Sequence, residues 1–363
     1  MKAGIVVGAR PNFMKAAPLI REFKQRGKIE PFLIHTGQHY DENMSKVFFE
    51  DLGLPQPDVY LGIGSGSHAE QTAKIMLAFE KVLEKEHCDL VIVVGDVNST
   101  LACSLVAVKM LVPVAHVEAG LRSFDLTMPE EINRMVTDIL SRYCFTTSPE
   151  AEINLKREGV SEDRIFFVGN IMIDSLLYYM DKADRSDVLS RLNLSIKNYI
   201  LVTLHRPSNV DDFDTFRGIY GVLEELSRTI PVVFPVHPRT RKMMYEAGLG
   251  TSGEGDLRLI DPIGYLDFVK AMKHARLVIT DSGGIQEETT VLGVTCLTVR
   301  KNTERPITIE MGTNKLVGTE PTKVLEEARK ALEKESLDFR IPPLWDGKTA
   351  KRIADILETH MKK

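Results

Sequence analysis

Short apolar runs that end in Gly, Asp, His or Ser, each followed by helical periodicity, recur along the whole chain. Residues 3–7 lead into Gly8-Ala9-Arg10-Pro11, 32–35 into Thr36-Gly37-Gln38-His39, and 90–94 into Gly95-Asp96. Residues 114–117 lead into Glu118-Ala119-Gly120, 143–147 into Ser148-Pro149, and 165–168 into Gly169-Asn170. The pattern then restarts. Residues 199–204 lead into His205-Arg206, 232–236 into His237-Pro238, and 257–260 into Asp261-Pro262. Residues 277–280 lead into Asp281-Ser282-Gly283-Gly284 and 295–299 into Arg300-Lys301, and a last short run covers 314–317. Such repeating units predict parallel β/α architecture. Near-continuous apolar strands further predict sheets covered on both faces, hence a doubly wound α/β fold. Residues 70–86, 321–335 and 348–361 set an apolar face against a Glu/Lys face and predict amphipathic helices. The polar interval 181–198 separates the two sets and reads as a linker. Ligands of such sheets bind outside the carboxyl ends of the strands, where the polar residues named above fall. The expectation is two Rossmann-like domains facing across a cleft, each contributing half of a site.

Length agrees with two domains. The chain has 363 residues, and single cores stop growing at about 250–300 residues. Its 43% apolar and 27% charged content is that of a globular protein rather than a disordered or fibrous one. A net charge of −5 argues against a general nucleic-acid footprint but permits a local basic pocket for phosphate. No apolar run is long enough to span a bilayer, and the short run at the start reads as a buried strand, not a signal peptide. Cys88, Cys103, Cys144 and Cys296 are scattered without a paired spacing. They suggest a reducing, cytoplasmic setting and no metal framework.

The candidate chemistry lies in the loops. Gly8-Ala9-Arg10-Pro11-Asn12, with Lys15 on the following helix, offers backbone N–H groups and two cations to an anion. A plain strand-to-helix turn with solvated cations is the alternative. Neither the P-loop spacing nor Gly-x-Gly-x-x-Gly is present, so no nicotinamide cofactor is indicated. The Gly-rich stretch 62–67 follows no recognisable strand and reads as a flexible loop. Asp96 and Glu118 end strands, and Glu130 and Glu131 open a helix. Carboxylates converging in a cleft suit general acid/base chemistry. Glu130 or Glu131 would also complement a helix dipole, and Asp96 would also cap the helix that starts near Asn98. Glu118 has the weakest structural reason for its place. His205 and His237 each follow a strand and are either loop residues or proton donors near a leaving phosphate. Arg206 and Arg239 would add phosphate contacts. The stretch from Asp281 to Glu288 combines a second anion cradle at a helix start with a carboxylate one turn in, a pattern that reads a nucleotide; a well-capped helix is the alternative. Thr303-Glu304-Arg305-Pro306 adds a further arginine.

Eight stretches together carry a family resemblance: GARPNFMKAAPL from Gly8, HTGQHYDENM from His35, VVGDVNST from Val93, HVEAGLRS from His116, PEEINR from Pro129, TLHRPSNV from Thr203, TDSGGIQEE from Thr280 and TERP from Thr303. In this order the chain resembles the non-hydrolysing UDP-N-acetylglucosamine 2-epimerases over essentially its whole length. The resemblance implies a glycosyltransferase-B-like fold. Residues 1–170 with a returning helix at 348–363 would form one domain, and 171–347 the UDP-binding domain. It implies interconversion of UDP-N-acetylglucosamine and UDP-N-acetylmannosamine without metal or nicotinamide, by a cytoplasmic homodimer serving polysaccharide biosynthesis. By motif match, Asp96, Glu118, Glu130 and His205 would be catalytic, with Arg134 supporting them. Arg10, Lys15, His237, Phe268, Ser282, Gly283, Gly284, Glu288 and Arg305 would bind the UDP-sugar, Glu288 at the ribose and Phe268 beside the uracil.

The implied chemistry is expulsion of UDP from C1, removal of the C2 proton to give 2-acetamidoglucal, and reprotonation on the opposite face before UDP re-adds. One departure stands out. Many bacterial members carry Glu where this chain has Ser208, and that Glu belongs to an activating second substrate site. Gln38, His39 and Arg206 match other parts of that site, but Ser208 cannot accept as a carboxylate does, which removes an expected ligand. Rival readings are a retaining glycosyltransferase, a hydrolysing 2-epimerase, and a silent nucleotide-sugar sensor.

Overall fold

The computed structural model describes residues 1–37, 53, 56–246, 248–250, 255–334 and 337–360, apart from the side chains of Arg10, Pro238 and Arg239. The chain divides into two compact units: Met1–Tyr178 with Pro343–Lys363, and Tyr179–Pro342.

The first unit holds seven strands: β1 (Lys2–Val7), β2 (Glu30–His35), β3 (Val59–Tyr60), β4 (Leu90–Val94), β5 (Val114–Ala119), β6 (Tyr143–Thr146) and β7 (Ile165–Phe167). They pair in parallel in the order β3-β2-β1-β4-β5-β6-β7. The second unit holds six: β8 (Ile200–Thr203), β9 (Val232–Pro235), β10 (Leu257–Ile260), β11 (Leu277–Thr280), β12 (Cys296–Thr298) and β13 (Asn314–Leu316). Their order is β10-β9-β8-β11-β12-β13, again parallel. Both are doubly wound Rossmann-like sheets. In each, the winding direction reverses once, between β1 and β4 and between β8 and β11. Chain segments diverge above and below the sheet at such a reversal and leave a crevice for ligands.

Every residue of β4 is buried, as expected for a strand covered on both faces. The helix His68–Glu86 brings Ile75, Phe79 and Leu83 to this core at four-residue spacing, each fully buried aliphatic or aromatic side chain contributing about 1.5–3 kcal/mol. The loop before that helix is not the loose segment the sequence suggested. It follows the two-residue β3, is tied by the Ile63 and Gly64 N–H groups to the carbonyls of Thr36 and Gly37, and ends in a Ser67 cap accepting from the Glu70 N–H at 3.2 Å. The helix Thr349–His360 belongs to the first unit. There Arg26 meets Asp355 at 2.6 Å and Lys28 meets Glu358 at 2.8 Å, while the Trp345 indole donates to the Thr147 carbonyl at 2.9 Å.

The chain passes from one unit to the other inside the helix Ile171–Asp184. The polar interval that read as a linker is packed structure instead. Val188 is buried with Tyr199, Leu201, Val233 and Met272, and Leu189, Leu192 and Leu194 pack beside them. Their spacing is too irregular to stand out among the charges around them. Among the described residues no helix is long and apolar enough to cross a membrane.

Candidate active site

In the first unit, polar groups gather at the reversal between β1 and β4. Asn12, in the first turn of the helix Arg10–Arg26, accepts from the N–H groups of Gly8 and Ala9 at 3.1 and 2.9 Å and donates to the Val94 carbonyl at 3.0 Å. This differs from the expected anion cradle, because the loop amides are already taken by a neighbouring side chain. Lys15 lies further along the helix Arg10–Arg26. Its ammonium sits 2.5 Å from Glu118 Oε2, and both side chains are buried. Next to them Gly95 has φ +71°, and a Cβ there would lie 3.2 Å from the Lys15 Nζ and 3.9 Å from Glu118 Oε2. Glycine thus gives both the turn and the space that bring the cation up to the residue before Asp96.

Glu118 itself has φ +75°. It is the bulged residue of β5, where the register against β6 slips between Val117 and Ala119. A non-glycine residue in the left-handed region costs about 1–3 kcal/mol and marks sites where geometry has been imposed. The bulge re-aims this carboxylate. Its second oxygen, Oε1, is buried and has no hydrogen-bond partner among the described residues.

Asp96 does not cap the following helix, whose N-cap is Val97. Its carboxylate accepts from Arg134 Nε at 3.2 Å, and its side chain is 31% exposed. Arg134 is buried and also donates through Nη1 to Glu131 at 2.6 Å, while Nη2 has no partner among the described residues. Glu131 in turn accepts from the Ser123 N–H and hydroxyl and from the Phe124 N–H. Of the two adjacent glutamates, Glu131 is thus the anchor. Glu130 is half-buried and has no hydrogen-bond or ionic partner among the described residues, which leaves its carboxylate available.

In the second unit the matching position joins β8 and β11. The buried Asp281 carboxylate accepts from the N–H groups of His205 and Arg206 at 3.0 and 2.9 Å and from the Asn209 amide at 3.1 Å. It also lies 3.0 Å from His205 Nδ1, and the His205 side chain is 56% exposed. Burial favours a neutral Asp281, but His205 and these N–H groups outweigh it and hold the carboxyl below its usual range. The pair fixes the imidazole through Nδ1 and leaves Nε2 for chemistry.

Ser282 precedes the helix Gly283–Leu292 and makes no cap with its hydroxyl. A Cβ at Gly283 would lie 2.4 Å from Arg305 Nη1, whereas one at Gly284 would meet nothing. The helix start is therefore open at Gly284 and tight at Gly283. Arg305 donates to Glu287 at 2.7 Å and to Glu304 at 2.6 Å, and Arg206 lies 3.5 Å from Glu304. Glu288 is buried one turn into the helix and accepts from the Tyr265 hydroxyl at 2.9 Å. Burial raises its pKa to about 7, with Tyr265 opposing and Glu287 adding to the rise. Phe268 is half-buried against the cluster around Tyr199 and Val278, and His237 is exposed after β9. Ser208 is exposed in the short helix Pro207–Val210. Gln38 and His39 lie outside the described residues, as does the side chain of Arg10.

The structure thus gathers Asp96, Glu118, Lys15 and Arg134 in one place, and His205, Arg206, Ser282–Gly284, Glu288 and Arg305 in another. Reading the sequence did not single out Asn12, His116, Asp138 or Tyr265, and it left Asp281 without a role toward His205. Asn12, His116 and Asp281 do fall inside the quoted motifs, which is a usable signal; Asp138 and Tyr265 depend on contacts distant in sequence. Among the described residues no group of three or more His, Cys, Asp or Glu is arranged to hold a metal ion.

A family model described as UDP-N-acetylglucosamine 2-epimerase matches residues 21–358. The UDP-N-acetylglucosamine 2-epimerase of Methanocaldococcus jannaschii is 44% identical, covering 98% of this chain and 99% of the relative. A UDP-2,3-diacetamido-2,3-dideoxy-D-glucuronate 2-epimerase of Pseudomonas aeruginosa is 40% identical, covering 98% and 99%. The crystal structure of the M. jannaschii enzyme in complex with UDP-GlcNAc and UDP aligns with a TM-score of 0.91, covering 99% of this chain and 100% of that one.

Proposed function

The chain belongs to the UDP-N-acetylglucosamine 2-epimerase family, a group of isomerases, and from that premise we propose that it epimerises C2 of UDP-N-acetylglucosamine by eliminating and re-adding UDP, without net hydrolysis. The observation that carries the reading is the arrangement around Gly95: Glu118, aimed by a left-handed bulge with one oxygen unpartnered among the described residues, beside the partly exposed Asp96.

The C2 proton has no adjacent carbonyl to acidify it. Breaking the C1–O bond supplies that acidity, because UDP takes the bonding electrons and positive charge builds at C1. One carboxylate then removes the C2 proton, a C1=C2 double bond forms, and the product is 2-acetamidoglucal. Protonation of C2 from the opposite face and return of UDP to C1 give the epimer. Two faces call for proton carriers at two positions. Asp96 and Glu118 take these roles, and Lys15 and Arg134 hold their charge and direction. Glu130, in the first turn of its helix with its carboxylate available, tunes the pair. His205, oriented by Asp281, meets departing UDP with Nε2, a position where a hydrogen bond strengthens as charge develops. The open helix start at Ser282–Gly284, with Arg305 beside it, receives the diphosphate, and Glu288 the ribose. Arg10 and His237 add contacts to the UDP-sugar, and Phe268 flanks the uracil. A cytoplasmic homodimer completes the reading, supported by four buried, unpaired cysteines for the compartment and by the family resemblance for the assembly.

Proton NMR of the protein with UDP-N-acetylglucosamine in deuterium oxide tests this. UDP-N-acetylmannosamine deuterated at C2 with little free sugar is the expected product. Accumulation of UDP with free N-acetylmannosamine would instead identify a hydrolysing enzyme. The 2,3-diacetamido glucuronate analogue, run in parallel, should turn over more slowly.

A further inference from the structure

We propose that His116 and Asp138 are positioning residues that lock the Asp96 and Glu118 carboxylates into one spatial relation. This rests on the roles given above to those two carboxylates. His116 lies on β5 two residues before Glu118, and Gly120 lies two residues after it. The His116 Nε2 is 2.8 Å from the carbonyl oxygen of Gly95, the residue that precedes Asp96. A carbonyl only accepts, so Nε2 carries the proton. The Nδ1 is 2.6 Å from Asp138 Oδ1. Asp138 Oδ2 accepts from the Gly120 N–H at 3.0 Å and from Arg122 at 2.7 Å. Asp138 therefore grips β5 on both sides of the bulge, and His116 extends that grip to the turn carrying Asp96.

Burial opposes charge on Asp138, but His116 and Arg122 outweigh it and keep the carboxyl below its usual range. It accepts as a carboxylate from the Gly120 N–H and from Arg122, with the His116 ring beside it. Both side chains are wholly shielded from solvent. Packing alone does not account for them, since apolar residues fill such a core at lower cost than a desolvated polar pair. Geometric control of two catalytic groups does account for them. The bulge holds Glu118 in a backbone conformation that the chain would otherwise leave, and the Asp138 contacts at 116 and 120 bracket that one residue.

The test uses the full chain with Asp138→Asn, His116→Gln and His116→Leu. For each, kcat and KM with UDP-N-acetylglucosamine, UDP affinity by calorimetry, Tm, and the share of turnovers releasing free 2-acetamidoglucal are measured. Small misplacement of reacting groups costs on the order of 100-fold in rate, so kcat should fall by that order while KM and the UDP Kd stay within about threefold. Glucal release should rise, because reprotonation slows while dissociation does not. His116→Gln keeps a donor for the Gly95 carbonyl, so this variant should lose less than His116→Leu. If Asp138→Asn does not fold, the two His116 variants decide. Wild-type kcat in folded variants would overturn the proposal, as would UDP affinity and Tm falling in step with kcat. A wild-type protein that yields no C2-deuterated epimer would sink the functional reading instead, whatever the variants do.

Discussion

The Lys15–Glu118 contact sets a measurable tension between stability and activity in the first unit. The two side chains are 10% and 2% exposed and lie 2.5 Å apart, so solvent screens them little. Replacing Lys15 with Met leaves Glu118 as a buried carboxylate whose other oxygen already lacks a partner among the described residues. Breaking one side of a buried pair costs about 3–5 kcal/mol, because the remaining charge is uncompensated. A unit of about 200 residues loses about 2–4 °C of Tm per kcal/mol, so the expected loss is about 6–20 °C. Glu118→Gln should cost a similar amount by stranding the ammonium, and should lower kcat by on the order of 10²–10⁴ by removing an acid/base group. The double variant carries neither stranded charge. It should regain at least half of the lost Tm and none of the lost activity. Differential scanning calorimetry with domain-resolved transitions, together with the epimerase assay, reads both quantities. A Lys15→Met protein that melts within about 2 °C of wild type would refute the reasoning, since that corresponds to about 1 kcal/mol at most.

Three further outcomes follow from the second unit. Glu288 rises from an ordinary 4.5 to about 7 in the fold, so the folded state holds a proton that the unfolded chain sheds; this stabilisation is complete below about pH 4.5 and vanishes as pH climbs through about 7. Glu288→Gln should therefore raise Tm at pH 8 and leave it nearly unchanged at pH 4.5, and equal shifts at both would contradict the burial. Asp281→Asn keeps one oxygen to accept from the 205 and 206 N–H groups but removes the charge beside His205 Nδ1, and kcat should fall by on the order of 10²–10⁴; a smaller effect than that of His205→Ala on both kcat and KM would point to a dispensable partner. Gly283→Ala places a Cβ 2.4 Å from Arg305 Nη1, and overpacking of about 1–3 kcal/mol should weaken UDP binding about tenfold in a calorimetric titration, with wild-type affinity as the contrary result.

The strands were the most legible part of the chain. A run such as Val91-Ile92-Val93-Val94 states its own burial on both faces, and its end at Gly95-Asp96 states where the polar residues begin. The two-residue β3 left no such trace, since two residues carry no periodicity. Local grouping was legible wherever a motif lies within one loop, as for Ser282, Gly283 and Gly284 at one helix start. Partnerships across the sheet were not. Lys15 reads as a phosphate ligand from its place in the first loop, yet in the structure its ammonium is on Glu118, 103 positions away. Asp281 reads as part of an anion cradle, yet it turns back onto residues 205, 206 and 209. The left-handed bulge at Glu118 was invisible because nothing in the neighbouring residues marks it; only the slipped pairing with β6 does.

The two units tie their reversal points with side chains of opposite polarity. In each, one side chain ties the segment after the first strand to the segment at the end of the fourth. In the first unit the tie is Asn12, which takes up the Gly8 and Ala9 amides and reaches the Val94 carbonyl. A Rossmann-like sheet normally offers those amides to phosphate, and here those two are already bonded within the chain. The positive charge nearby, Lys15, is buried against a carboxylate instead. In the second unit the tie is the Asp281 carboxylate, which draws on the amides after β8 and leaves the helix start at Gly284 open. The open helix start is thus in the second unit, while the first holds a carboxylate against a buried cation. In the function proposed above, one carboxylate must be ionised to take the C2 proton and its counterpart protonated to return one, and a phosphate bound in the first loop would push both toward the protonated form. On that reading, an anion held in the second unit leaves the charge of Asp96 and Glu118 to be set by Arg134 and Lys15.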